Sequence, residues 1–116
     1  EGNMIQIYIC EDEKNTIRIL EKEIIEDYIK SAKIMAEIVS ARQNPQDILN
    51  DIEQCDNSQR LFFIDIQMPE YDMNGLELAR KLREKNSDDY LVFITSKDDL
   101  AYKVFEYQLD VTLELI

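Results

Sequence analysis

The chain has 116 residues with 25 acids against 13 bases, a formal net charge of −12, and no histidine. That length fits one domain with a single core, and the charge opposes binding to nucleic-acid backbones, which draws on Lys and Arg. The missing imidazole excludes Ser-His-Asp and Cys-His nucleophiles and any histidine that carries phosphate.

Hydrophobic residues make up 45% of the chain and there are only two Gly and two Pro, so a compact chain rich in secondary structure is expected. No apolar run reaches the roughly 18 residues of a membrane span, and no secretory signal opens the chain, so a cytoplasmic address is expected. Glu1-Gly2-Asn3 before Met4 reads as an expression-tag remnant, leaving residues 4–116 as one domain. Cys10 and Cys55 are too few and too far apart for a zinc pattern and read as reduced thiols.

Short apolar runs alternate with amphipathic segments, the pattern of a βα-repeating sheet covered by helices on both faces. The first strand is expected at Ile5–Cys10, followed by a helix with Ile17, Leu20, Ile24 and Tyr28 on its inner stripe. The second is expected at Lys33–Ser40. Asn44-Pro45 then supplies an N-cap and a first-turn proline for a short helix through Ile48, Leu49 and Ile52. Arg60–Ile66 is apolar without alternation, as a strand buried on both faces should be. The segment Gln67–Asn74, punctuated by Pro69 and Asn74-Gly75, is a loop leading to a helix with Leu78, Ala79 and Leu82. A fourth strand at Tyr90–Thr95 leads through Ser96 to Asp98 into a helix with Leu100, Ala101, Val104 and Tyr107, and a fifth strand is Val111–Ile116.

Glu11-Asp12 closes the first strand and Asp65 the third, so three carboxylates stand at strand ends. Ligands of parallel α/β sheets bind outside those carboxyl ends. Two carboxylates about 4 Å apart repel by roughly 4 kcal/mol at an effective dielectric of about 20, and a divalent cation removes that repulsion. Oxygen ligands suit Mg²⁺ or Mn²⁺ better than Zn²⁺. The bland alternative for Glu11-Asp12 is a pair of acids at the start of the next helix, where they favourably meet its dipole. Asp65 is harder to explain that way, because a carboxylate at a buried strand end needs partners or a raised pKa.

The segments Cys10-Glu11-Asp12-Glu13, Ile64-Asp65-Ile66-Gln67-Met68-Pro69, Asn74-Gly75-Leu76-Glu77-Leu78 and Phe93-Ile94-Thr95-Ser96 resemble, in that order and spacing, response-regulator receiver domains. The Cys10-Glu11-Asp12 start and Val104-Phe105-Glu106-Tyr107 are most similar to the Agr/LytTR type. The resemblance implies a (βα)5 doubly wound parallel sheet of order 2-1-3-4-5. It implies that Asp65 is the phosphoacceptor for a sensor histidine kinase. It also implies Mg²⁺ or Mn²⁺ bound by Glu11, Asp12, Asp65 and the backbone carbonyl of Gln67, with Thr95 contacting the phosphate as a switch; the alternative for Thr95 is a strand-end cap of the next helix.

The same resemblance implies a regulatory domain rather than an enzyme, an output module that binds DNA outside this segment, and a homodimer through the fourth-helix and fifth-strand face. The family's strand-five lysine is expected just after Ile116, with the fifth helix beyond the chain; Lys97 and Lys103 are expected on the surface. Two other readings compete. One is a pseudo-receiver that only binds protein. The other is a haloacid-dehalogenase-like phosphohydrolase, which needs a second acid two residues after the nucleophile, where this chain has Gln67.

Overall fold

A computed structural model describes residues 4–33, 35–52, 59–86, 88–95 and 112–115, the backbone alone being described at 28, 95 and 112–115. Five parallel strands, β1 (Ile5–Cys10), β2 (Ala36–Arg42), β3 (Arg60–Asp65), β4 (Tyr90–Thr95) and β5 (Thr112–Leu115), form one sheet in the order β2-β1-β3-β4-β5. This is the expected doubly wound order, in which the chain reverses its direction of travel between β1 and β3.

Period-two alternation along the central strands sends side chains to two cores. Tyr8, Cys10, Phe62, Ile64, Leu91 and Phe93 face α2 (Pro45–Ile52) and α3 (Gly75–Lys85), which bury Ile48, Leu49, Ile52, Leu78, Ala79 and Leu82 against them. Tyr8 and Phe62 are register partners whose rings stack at 4.7 Å, the cross-strand aromatic contact that stabilises neighbouring strands. Ile7, Ile9, Phe63 and Ile94 form the opposite core with Ile24 and the partly buried Leu20.

Helix α1 (Lys14–Glu23) continues into a wider π-helical segment over Ile24–Ser31. The chain turns at Ala32-Lys33, where Lys33 adopts a left-handed φ of 55°, so β2 begins at Ala36, later than the expected Lys33, and runs on to Arg42. α2 starts as expected: Pro45 takes the first position and the Asn44 side chain accepts from the Gln46 N–H at 3.0 Å. At α3, Asn74 accepts from the Glu77 N–H at 2.9 Å while Glu77 accepts from the Asn74 N–H at 3.0 Å. Asn74 thus does more than end a loop, forming a reciprocal capping box that fixes where α3 starts beside β3. The expected fourth helix, with Lys97 and Lys103, and Cys55 lie outside the described residues.

At the far end of the sheet from the acids, Arg60 donates two hydrogen bonds of 3.1 Å to the Asp89 carboxylate, joining the starts of β3 and β4. Both residues are buried, and Arg83 donates to the Asp89 carbonyl.

Candidate metal centre

Parallel pairing of β1 with β3 puts Cys10 opposite Ile64, so the residues that follow, Glu11 and Asp65, lie side by side at the carboxyl ends of the two strands. Glu11, Asp12 and Asp65 each offer a carboxylate oxygen, and these three oxygens lie within 4.8 Å of one another. Glu11 is 7% exposed, too enclosed to be a solvated surface charge.

The capping alternative for the acid pair does not describe this geometry. Glu13, not Glu11 or Asp12, occupies the N-cap of α1, and no side chain caps that helix. The Glu11 carboxylate instead accepts from the Glu13 N–H at 3.1 Å. The Thr16 hydroxyl donates to the Glu13 carboxylate at 2.7 Å, so Glu13 is engaged by the first turn of α1, and the acids that converge are Glu11, Asp12 and Asp65.

Crowding of like charges away from water raises the proton affinity of the group. Burial, followed by the Asp65 charge, pushes the Glu11 carboxyl up to about 8. Burial, then Asp12, lifts Asp65 to about 6, against the pull of hydrogen bonds from the Gln67 and Ile66 backbone and from Glu11. Two acids with this tendency to hold a proton will also accept a cation, and an all-oxygen donor set favours a hard divalent ion.

Gly75 places α3 against this mouth. Its N–H donates to the Ile66 carbonyl at 2.9 Å, and a Cβ there would stand 2.1 Å from the Asp65 carbonyl oxygen. Asp65 and Ile94 are register partners, so Thr95 ends β4 next to the strand that carries Asp65. The Thr95 side chain lies outside the described residues. Gln67 follows Asp65 on the loop with its side chain exposed.

Two contributors carried no local signal in the sequence. The Gln43 amide donates to the Asp12 carbonyl at 2.9 Å across 31 residues. Beneath the acids, the Cys10 thiol donates to the Met68 sulfur at 3.5 Å.

A doubly wound sheet with acids converging where the strand order reverses defines a class of domain that binds ligands at that mouth. The response regulator receiver domain family matches residues 7–113, and the chain belongs to that family. It is 33% identical over 105 residues to accessory gene regulator protein A of Staphylococcus aureus and 31% identical to that of Staphylococcus epidermidis, covering 90% of this chain and 43% of each relative. The chain therefore spans less than half the length of those relatives.

Among solved structures, it is similar to the response regulator TrrA of Thermotoga maritima in complex with Mg²⁺-BeF, with a TM-score of 0.75, 25% identity, and 97% of this chain and 87% of that one covered. RcsB of Salmonella enterica bound to a promoter shares the fold at a TM-score of 0.72 and 16% identity, over 97% of this chain and 60% of that one. Among the described residues, no helix is long and apolar enough to cross a membrane.

Proposed function

We propose that this receiver domain takes a phosphoryl group onto Asp65 from a sensor histidine kinase. The carrying observation is the meeting of the Glu11, Asp12 and Asp65 carboxylate oxygens within 4.8 Å. The donor set fits a hard divalent cation, Mg²⁺ or Mn²⁺, held by those three carboxylates with the Gln67 backbone carbonyl as a further ligand. When bound, such an ion neutralises charge on the phosphoryl oxygens and on the acids around them.

The chain's own residues do the rest. An Asp65 carboxylate oxygen attacks phosphorus, forming the O–P bond as the P–N bond to the kinase imidazole breaks and that nitrogen takes up a proton. Gly75 and the capped start of α3 hold the Asp65 backbone in place. Thr95, at the neighbouring strand end, offers a hydroxyl to a phosphate oxygen. The added charge then changes the preference of the face expected from β5 and the fourth helix for its partners, including a second copy of the chain. The similarity to accessory gene regulator A supports a cytoplasmic regulator whose DNA-binding output module lies outside this segment.

The test is intact mass after incubation with Mg²⁺ and a small phosphodonor. One phosphoryl adduct is expected on the wild type and none on Asp65→Asn. No adduct, with no Mg²⁺-dependent gain in thermal stability, overturns the reading in favour of a module that only binds protein.

A further inference from the structure

We infer that Gln43 is a positioning residue for the acid pair, setting the domain's affinity for its divalent ion without touching that ion. The inference rests on the metal-site reading above.

The β1–β2 pairing reaches its last register pair at Cys10 and Arg42, and the Glu11 N–H continues it by donating to the Arg42 carbonyl at 3.1 Å. One residue further the ladder is extended by a side chain, as the Gln43 amide donates to the Asp12 carbonyl at 2.9 Å. That carbonyl belongs to the same peptide unit as the Glu13 N–H, which donates to the Glu11 carboxylate at 3.1 Å. A trans peptide is planar, with C=O and N–H pointing in opposite directions, so fixing one end aims the other. Gln43 and the Glu11 carboxylate thus hold the two ends of one plate. Its orientation sets the backbone of Asp12 and the hydrogen bond that orients Glu11. Removing the amide frees the plate to rotate and both carboxylates lose their aim.

Gln43 itself is well anchored. It follows Arg42, which is paired to Asp51 at 2.9 Å, and precedes Asn44, which caps α2. Its side chain lines an open groove of about 550 Å³ between α1 and the β2–α2 turn, so replacements of other shapes fit without displacing core atoms.

The measurement is calorimetric titration with Mg²⁺ of the wild type, Gln43→Met, Gln43→Ser and the exposed control Gln46→Met, alongside thermal unfolding in EDTA. Loss of an outer-shell partner weakens metal binding by about 10–100-fold, and that increase in Kd is expected for both Gln43 variants but not for the control. A purely structural role would lower the metal-free unfolding midpoint and leave Kd unmoved, and an unchanged Kd in both variants overturns the inference. If the wild type itself takes up no Mg²⁺, the metal-site reading falls first and this one with it.

Discussion

Gly75 and Asp65 touch through their backbones so closely that a single methyl on the glycine would overlap the aspartate carbonyl, at 2.1 Å. The contact joins the first turn of α3 to the end of β3, and it ties the geometry of Asp65 to the position of a helix rather than to its own side-chain neighbours. Backbone cannot give way as a flexible side chain can. Gly75→Ala is therefore expected to cost about 1–3 kcal/mol, the usual range for overpacking. It should also slow phosphoryl uptake beyond what the stability loss explains. Chemical denaturation and phosphodonor kinetics on the folded variant check both; a variant with wild-type stability would show that the turn yields without strain.

The metal-free domain should become less stable as pH rises from about 5 to about 8, a trend whose sign follows from proton linkage. Glu11 is raised from 4.5 to about 8 and Asp65 from 3.8 to about 6, so within that window the folded chain binds more protons than the unfolded one. Stability is greatest with both groups protonated and falls as each ionises. Thermal midpoints in EDTA across the range test this, with Glu11→Gln expected to flatten the slope. Saturating Mg²⁺ should flatten it as well, because ion and proton compete for the same oxygens. A wild-type midpoint that climbs with pH would contradict the assigned crowding.

Two ion pairs among the described residues should behave very differently. Arg60 and Asp89 side chains are 9% and 2% exposed, whereas Arg42, paired with Asp51, is 47% exposed. Burial outweighs even the Arg60 partner and holds the Asp89 carboxyl above its ordinary range. Arg60→Met leaves that acid enclosed without its hydrogen-bonded partner, with only the neighbouring Arg83 charge to offset it, and should destabilise by about 3–5 kcal/mol. Arg42→Met should change little, since water already screens its pair. Denaturant midpoints decide, and a similar loss in both variants would mean that the deeper pair has access to solvent.

Much of the fold was legible because the central strands are buried on both faces. Ile5–Cys10 and Tyr90–Thr95 begin and end where the apolar runs do. β2 was harder to place. It is an edge strand with exposed Glu37 and Val39, and Lys33 turns left-handed without a glycine to announce it.

The strand-end acids were visible as a pattern, since charge after an apolar run is conspicuous, but their separation depended on pairing between distant segments. Asn74 and Glu77 did carry a local signature, a cap residue followed three positions later by an acid, which the neighbouring glycine disguised as a plain turn. Gln43 had no such signature. A lone amide after β2 acquires meaning only when the chain returns it to Asp12, 31 residues away.

The sulfur contact under the acidic mouth has a practical consequence. Cys10 is 2% exposed, its thiol donates to Met68, and burial together with the Asp65 charge keeps it from ionising. Alkylating reagents attack thiolates, so Cys10 can be labelled only in molecules whose strand β1 has opened. Its modification rate under native conditions is a built-in clock for that opening, and any ion or phosphoryl group that tightens the mouth should make the clock run slower.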